Sequence, residues 1–286
     1  MTCQEAVSKG TRILRDAGVD EPDYDARELL CAAAGLTVSE YVLHLKDDLE
    51  PEAEEAFSGM ISRRASHEPL QRIIGCAWFM GDQYGLNEET LIPRFDSETL
   101  VLTAAETVER LRDGDKGSGK PAVLDIGTGT GCLLIALMKQ CPGVRGTGVD
   151  ISGRALEAAK RNAEKLNVSA VFRQSDLFAN VPESYDIIMS NPPYIPTDVI
   201  AGLAEEVREH DPMTALDGGE DGLNLYRRLV AQAPAHLKSG GVLLLEIGYD
   251  QGEAVSGLME KAGFGQIEIR KDLSGHDRVV CGVKDV

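Results

Sequence analysis

The chain has 286 residues, more than one compact domain usually needs, and 43% of them are hydrophobic, which is enough for a sizeable core. Lys and Arg number 29 against 47 Asp and Glu, giving a formal net charge of −18 at pH 7. Such a surface repels phosphate at long range, so the composition argues against non-specific nucleic-acid binding, although a local basic patch is not excluded.

Cysteine usage and hydropathy indicate a reduced, cytoplasmic protein. The six cysteines are scattered, with no Cys-x-x-Cys and no Cys/His pair at zinc spacing, and the five histidines show no ligand spacing. The N-terminus lacks the apolar run of a signal peptide, and no segment approaches the roughly 18 apolar residues of a membrane span. We therefore expect a cytoplasmic protein with no metal site and no membrane contact.

The first part of the chain has the pattern of a small helical domain. Between residues 4 and 65 apolar side chains recur at helical spacing, Gly18 and Gly35 predict helix ends, and Pro51 predicts a helix start. We expect this N-terminal domain to cover residues 1–72. Aromatic residues interspersed with glycines then predict a linking β-hairpin over residues 73–93. The polar, glycine-rich stretch at 111–120 predicts a solvated loop.

The remaining domain, residues 94–286, alternates short β-type runs with helical ones. The predicted strands cover residues 122–126, 144–149, 170–173, 185–190, 242–247, 267–269 and 279–283. Such alternation predicts an α/β fold with a doubly wound sheet. The last two runs are separated by a stretch too short for a crossover helix, so we expect them to pair antiparallel. A mostly parallel seven-stranded sheet with one reversed strand fits this pattern.

A glycine-rich turn, Gly127–Gly131, leads from the first of these strands into a helix and reads Gly-Thr-Gly-Thr-Gly. Glycines let the backbone approach a ligand, and the helix N-terminus offers free N–H groups, so the turn predicts a site for a ligand carboxylate. A tight turn without a ligand is the alternative. A dinucleotide fingerprint is disfavoured because its third glycine would fall on Cys132.

Two acidic residues follow the next two strands. Asp150 lies about twenty residues after the glycines, where a carboxylate can accept hydrogen bonds from both hydroxyls of a ribose. Alone, such an aspartate is more often a helix N-cap, and the nearby Ser152 keeps that alternative open. Asp176 can accept from an adenine amino group while Leu177 packs on the ring, with a capped loop as the alternative. Glycines and acidic residues at these intervals resemble the S-adenosylmethionine-dependent methyltransferases of the Rossmann-like class, which implies that fold and cofactor from about residue 123 onward.

The tetrapeptide Asn191-Pro192-Pro193-Tyr194 indicates methyl transfer to a planar, weakly basic nitrogen. The lone pair of such a nitrogen is delocalised, so an enzyme must orient the group and draw electron density back toward it. The Asn191 side-chain oxygen and the Pro192 carbonyl can accept from the two NH₂ hydrogens, and Pro193 keeps Pro192 extended. Tyr194 is expected to lie flat against the planar group. A turn closing the strand is the alternative, disfavoured because α/β sheets bind ligands at the carboxyl ends of their strands.

Residues 69–75, 91–98, 211–222 and 275–279 closely resemble the release factor glutamine N5-methyltransferases. This resemblance spans nearly the whole chain. It implies that class I peptide chain release factors are the partners, that the glutamine of their Gly-Gly-Gln motif is methylated, and that the N-terminal domain recognises the factor elsewhere. No direct nucleic-acid binding is expected. The implied mechanism is direct transfer, with no metal, no covalent intermediate and no dedicated base.

The resemblance also implies a role for individual residues. Catalysis falls to Asn191, Pro192 and Tyr194, and substrate binding to these three with Pro193. The implied cofactor contacts are Gly127, Thr128, Gly129, Thr130, Gly131, Asp150, Asp176, Leu177, Asn191 and Arg94. Arg94 is expected to lie over the cofactor, and Asp96 and Glu98 to cap and orient the next helix. The family often has proline where Phe95 stands and an aromatic residue where Leu177 stands.

Two other functions fit parts of the pattern. A nucleic-acid exocyclic-amine methyltransferase would flip a base so that its amine meets Asn191, but the charge of −18 and the lack of a Lys- and Arg-rich groove argue against it. A catalytically silent adaptor that binds the factor through its helices is the second alternative. The intact series of glycines, Asp150 and Asn191–Tyr194 argues against it.

Overall fold

The computed structural model describes residues 1–114 and 120–285. The described chain divides into two compact units. The N-terminal unit comprises Met1–Cys76 and Ala204–His210, and the sheet unit comprises the rest. The return of a distant segment, Ala204–His210, to the N-terminal unit differs from the contiguous domains predicted from the sequence. Within the described residues no helix is both long and apolar enough to cross a membrane.

The N-terminal unit is a helical bundle with its own apolar core. Its helices are α1 (Cys3–Asp16), α2 (Pro22–Ala34), α3 (Val38–Leu43), α4 (Pro51–Ala65), α5 (Leu70–Ile74) and, from the later segment, α9 (Glu205–Arg208). Gly18 and Gly35 have φ values of 78° and 66° just after α1 and α2, and Pro51 is the first residue of α4. The predicted helix ends and start are therefore confirmed, because each depends on local backbone geometry.

A buried ion pair lies inside this unit. The Arg64 Nε donates to Asp25 Oδ2 at 2.6 Å, and the Arg64 Nη2 lies 2.6 Å from Glu206 Oε1 in α9. Both the Arg64 and the Asp25 side chains are less than 10% exposed. Burial raises the pKa of Asp25, and the hydrogen bond and charge of Arg64 oppose that rise. Arg64 thus offsets part of the desolvation of a buried carboxylate and joins α9 to the bundle.

We expect Arg64→Met to destabilise the protein by about 3 kcal/mol, because it leaves the buried Asp25 without its cation. The free energy of unfolding in urea measures the effect. The matched control is Arg63→Met, which removes a half-exposed partner of Glu68 and should cost less than about 1 kcal/mol. Equal losses in the two variants would contradict the assignment.

In the sheet unit, β1 (Cys76–Phe79) and β2 (Asp82–Gly85) form the small two-stranded sheet predicted for this region. The main helices are α6 (Glu98–Gly114), α7 (Cys132–Gln140), α8 (Gly153–Lys165), α10 (Met213–Leu216), α11 (Asn224–His236) and α12 (Gly252–Lys261). Short 3₁₀ turns cover Phe95–Ser97 and Ile200–Gly202. The solvated loop predicted at 111–120 is helical up to Gly114, and its residues 115–119 lie outside the described part of the chain.

The central sheet follows the predicted plan. Its strands are β3 (Ala122–Ile126), β4 (Arg145–Asp150), β5 (Val171–Gln174), β6 (Tyr185–Ser190), β9 (Leu237–Glu246), β10 (Phe264–Lys271) and β11 (Asp277–Lys284), in the order β10-β11-β9-β6-β3-β4-β5. β11 is antiparallel to both neighbours and the other described pairs are parallel, which confirms a mostly parallel sheet with one reversed strand. The short strands β7 (Ile195–Pro196) and β8 (Asp217–Gly219) pair separately.

Strand β9 is longer than predicted. It begins at Leu237 rather than at residue 242, because the polar and glycine residues 238–241 hide its start from a hydrophobicity pattern. The pairing with β6 shifts register between Tyr185 and Ile187, which accommodates this segment, and Gly240 has φ 72°. Tertiary pairing thus extends the strand where local composition predicts a turn.

Helices cover both faces of the sheet. On one face Leu100 of α6 and Leu134 of α7 pack against Val123 and Leu244. On the other face the neighbouring strand residues pack against a second cluster that includes Tyr226 and Val255 of α11 and α12. The order of the strands reverses at β3, which lies between β4 and β6. The carboxyl ends beside such a reversal are where open α/β sheets bind ligands.

Candidate functional site

A cavity of about 310 Å³ opens at this point of strand reversal. That volume is at the lower end of the range for small-molecule sites, roughly 300–1,000 Å³. The predicted site residues that line it are Arg94, Gly127, Thr128, Gly129, Thr130, Asp150, Asp176, Leu177, Asn191, Pro192 and Pro193. Gly131 and Tyr194 are not among the described lining residues. Most of the residues selected from five separate segments of sequence therefore surround one cavity.

The glycine turn presents its backbone to this cavity. The N–H groups of Gly127 and Thr128 both donate to the Val149 carbonyl, at 2.9 and 3.0 Å, which anchors the turn to β4. Gly127 has φ 72°, and a Cβ placed there would meet nothing within 4 Å. A Cβ on Gly131 would instead lie 3.2 Å from the Cβ of Ala159 in α8. Gly127 therefore leaves room on the cavity side, whereas Gly131 allows close packing of helices.

Asp150 is held by backbone donors at the end of β4. Its Oδ2 accepts from the Gly129 N–H and its Oδ1 from the Ser152 N–H, both at 2.9 Å. The N-cap of α8 is Ser152, whose Oγ accepts from the Ala155 N–H, so the alternative capping role for Asp150 is not the one observed. Burial raises the pKa of Asp150, and the two backbone N–H groups oppose that rise. The carboxylate is thus rigid, and each oxygen retains further capacity to accept.

The loop after β5 forms another wall. Asp176 accepts from Arg228 Nη2 with both oxygens at 2.8 Å, while Ser175 caps the loop by donating to the Leu177 carbonyl and accepting from the Asn180 N–H. Leu177 is buried with φ 50°, a conformation that costs a leucine about 1–2 kcal/mol. Arg228 lines the cavity too, and its mid-helix position gave no sequence signal of this role.

The segment Asn191–Tyr194 follows β6 at the centre of the sheet. The Asn191 Nδ2 donates to Ser97 Oγ at 3.2 Å, and Pro192 and Pro193 line the cavity beside it. The Tyr194 ring packs against the second core cluster, and burial raises its pKa to about 12. Its carbonyl accepts from Gln251 Nε2 at 2.9 Å. The stacking of Tyr194 on a planar group stays a prediction.

We expect Gly222→Ala to destabilise the fold and to displace the segment Asn191–Tyr194. Gly222 has φ 72°, and an added Cβ would lie 2.3 Å from the Tyr194 carbonyl oxygen. The expected cost is about 2–3 kcal/mol, measured by thermal unfolding. Gly257→Ala is the control, because its Cβ meets nothing within 4 Å inside α12 and should stabilise by about 0.5–1 kcal/mol. An unchanged melting temperature for Gly222→Ala would oppose this account.

The acidic residues at the start of α6 contact distant parts of the chain. Glu98 begins α6 and accepts from the Met80 N–H at 3.3 Å, and Asp96 lies 3.3 Å from Arg278, while the capping role of these two acids stays a prediction. Both carboxylates make long-range contacts that local sequence does not reveal. Arg94 lies 2.7 Å from Asp211, whose side chain is fully buried. This ion pair holds Arg94 at the wall of the cavity.

Two buried carboxylates near the cavity were missed. Asp125 in β3 accepts from Thr128 Oγ1 at 2.6 Å, and Glu246 ends β9 with its side chain among Ser97 and Asn191. Burial raises the pKa of both carboxyl groups to about 7. The sequence signal that could have identified them is a single acidic residue in an otherwise apolar strand segment. No cluster of three or more His, Cys, Asp or Glu suited to a metal occurs within residues 1–114 and 120–285.

Comparison with known proteins places these features in a family. A family model described as the PrmC N-terminal domain matches residues 5–75, and one described as the methyltransferase small domain matches residues 105–207. The protein named release factor glutamine methyltransferase of Cereibacter sphaeroides is 42% identical over 283 residues, 98% of this chain and 98% of that protein. Its namesake in Agrobacterium fabrum is 41% identical over 269 residues, 93% of this chain and 92% of that protein.

A solved structure supports the fold independently. The catalytic domain of hMettl16, determined in complex with a MAT2A 3′UTR hairpin, is 18% identical to this chain. The likeness covers 79% of this chain and 80% of that one, with a TM-score of 0.55. At this identity the likeness shows the methyltransferase fold alone.

Proposed function

The chain belongs to the family of release factor glutamine methyltransferases, and on this premise we propose that it methylates the side-chain amide nitrogen, N5, of a glutamine in class I peptide chain release factors. The methyl donor is S-adenosyl-L-methionine, and the target is the glutamine of the Gly-Gly-Gln motif. The observation that carries the proposal is the joining of Asn191 and Pro192 to the glycine turn and Asp150 around one cavity. A substrate of this kind places the enzyme in the cytoplasm.

The residues on one side of the cavity suit this methyl donor. The open space beside Gly127, at the turn that leads into α7, leaves room for the carboxylate of its amino-acid part. Asp150 can accept from the two ribose hydroxyls, because its oxygens are already oriented by backbone N–H groups. Asp176 and Leu177 flank the position of the adenine, and Arg94 covers the site from its ion pair with Asp211.

Asn191 and Pro192 act on the methyl acceptor. When bound, S-adenosyl-L-methionine supplies an electrophilic methyl group on a sulfonium sulfur. Two acceptors aimed at the amide NH₂, the Asn191 Oδ1 and the Pro192 carbonyl, orient the nitrogen and return electron density to it. Holding the reacting atoms at roughly 3–3.5 Å in line is then a large part of the catalysis. Asn191 and Pro192 would hold the amide nitrogen facing that methyl group for direct transfer, with no covalent enzyme intermediate, and the surplus amide proton would leave to solvent.

The acceptor protein needs a second contact outside this cavity. A flexible Gly-Gly-Gln loop can enter a cleft, but three residues offer little surface for specificity. We propose that the N-terminal unit binds the release factor at another place. The match of residues 5–75 to a family model separate from the one that matches residues 105–207 supports this division of labour.

Transfer from labelled S-adenosyl-L-methionine tests the proposal. Purified release factor, its Gly-Gly-Ala variant, duplex DNA and ribosomal RNA are offered in parallel, and labelled protein is mapped by mass spectrometry. We expect label on the native factor, located on the glutamine and lost in the variant. Label on nucleic acid alone would overturn the substrate, and no label on any acceptor would favour the silent adaptor.

A further inference from the structure

Glu246 and Asn191 are neighbours on one face of the central sheet. The parallel strands β6 and β9 pair Ser190 with Leu245, so the next residue of each, Asn191 and Glu246, also lie side by side. Paired residues on parallel strands point to the same face. That face is the one covered by α6, whose preceding 3₁₀ turn ends at Ser97. The register thus brings a charged residue against the amide proposed to hold the methyl acceptor.

The contacts of this cluster are directional. The Asn191 Nδ2 donates to Ser97 Oγ at 3.2 Å, and the side chains of Ser97 and Asn191 lie beside the Glu246 carboxyl group, where both oppose the rise of its pKa. Glu246 is 2% exposed, and its Oε2 has no hydrogen-bond partner among the described residues. A carboxylate accepts and does not donate. Glu246 therefore favours the NH₂ end of the Asn191 amide on its side, which is the orientation in which the Asn191 Nδ2 donates to Ser97 Oγ.

An asparagine amide can turn over and exchange its oxygen for its NH₂ group. Only one orientation serves a glutamine NH₂, which is a donor and requires an acceptor opposite it. In the other orientation two NH₂ groups would face each other, and the methyl acceptor would lose one of its two polarising contacts. Something beside Asn191 must therefore select the orientation with Oδ1 toward the acceptor.

We propose that Glu246, together with Ser97, is the positioning residue that fixes the Asn191 amide with its oxygen toward the methyl acceptor. This inference rests on the proposed function for the identity of that acceptor. Glu246 does not touch the reacting atoms and acts only through Asn191 and Ser97. Asp150, in contrast, has a carboxylate that lines the cavity directly.

The protonation state of Glu246 provides a specific consequence. A protonated carboxyl group can donate to Asn191 Oδ1 and so favours the wrong orientation of the amide. Burial raises the pKa of Glu246 to about 7, so the rate should fall as the pH drops through that region. The titratable and charged groups that face Glu246 are Arg278, Asp96, Tyr194, Tyr226 and Cys132. The pKa values of Arg278, Tyr194, Tyr226 and Cys132 are all raised, which keeps those groups in one state near neutral pH.

The pKa of Asp125 is also raised to about 7, so the experiment must show which of the two carboxyl groups causes the step in the pH profile of kcat. Glu246→Gln keeps the size of the side chain and removes its titration. We expect at least a tenfold loss in kcat, KM values for both substrates within about threefold, and loss of the step near pH 7. Asp125→Asn should leave that step in kcat. A normal kcat in Glu246→Gln, or a reduced kcat that keeps the step, overturns the proposal.

Ser97→Ala provides a second variant if Glu246→Gln folds poorly. It should lower kcat while preserving the melting temperature and the cofactor affinity, and Ser97→Thr should restore most of the rate. Unchanged turnover in Ser97→Ala would count against the cluster as the orienting device.

Nuclear magnetic resonance of the protein alone separates this inference from the proposed function. The ¹⁵N–¹H₂ signals of the Asn191 side chain, assigned by their absence in Asn191→Ala, should shift with pH near 7 in the unsubstituted protein and stay constant in Glu246→Gln. If the release factor is methylated but these signals do not titrate, the inference fails alone. If they titrate but the factor is not methylated, the proposed function fails alone.

Discussion

Replacing Asn191 by alanine is expected to lower turnover by about a thousandfold or more while cofactor affinity changes by less than about fivefold. The substitution removes one of the two oxygens proposed to accept from the amide NH₂. The other, the Pro192 carbonyl, cannot by itself orient the group or return density to its nitrogen. The glycine turn and Asp150 make their backbone hydrogen bonds independently of Asn191, so the cofactor side of the cavity should stay intact.

Single-turnover rates and calorimetric titration with S-adenosyl-L-methionine measure the two quantities separately. Asn167→Gly is the control, because it removes an exposed asparagine outside the cavity whose φ of 56° suits glycine. It should leave both quantities unchanged. Near-normal turnover in Asn191→Ala would refute the polarising role.

Replacing Asp150 by alanine should weaken cofactor binding by about a hundredfold to a thousandfold. Each hydrogen bond from a ribose hydroxyl to a charged acceptor contributes about 1.5–3 kcal/mol. The loss of both therefore weakens binding by about a hundredfold to a thousandfold or more. The substitution also frees the Gly129 N–H, which Asp150 accepts from at 2.9 Å, so the glycine turn loses a support as well.

Calorimetry with S-adenosyl-L-methionine measures this loss, and turnover at saturating cofactor should recover most of its value. The exposed Asp198, changed to alanine, controls for the loss of one negative charge and should bind normally. An affinity within about threefold of normal for Asp150→Ala would rule out the ribose contact.

Many residues that line the cavity could be predicted from the sequence, because glycine geometry and strand direction determine where they lie. Gly127 has a positive φ, which favours glycine, and it leaves space on the cavity side. A strand followed by glycines and then a helix predicts such a turn. Asp150 and Asn191 each follow the end of a predicted strand, and parallel strands bring such ends to one edge of a sheet. These assignments need only the period of the strands and the sense of their direction.

The contacts of charged side chains were not predictable in the same way. Asp96 lies just before α6 and Glu98 begins it, which is where capping residues lie, and in the structure one also pairs with Arg278 and the other accepts from Met80. Sequence proximity favoured the cap, whereas the folded chain offers donors that are far away in sequence. The association of Ala204–His210 with the N-terminal unit likewise depends on a contact between residues far apart in sequence, the ion pair of Arg64 and Glu206.

The sequence by itself determined the class of fold, the run of strands and the residues at the strand ends, because strand periodicity and glycine geometry are local properties. Only the tertiary structure decided that Glu246 lies beside Asn191, that Arg94 pairs with Asp211 and that Ser97 accepts from the Asn191 amide. Strand register and burial decide these contacts. They set which side chains share a face and how strongly each charge is desolvated, and both depend on segments far apart in the chain.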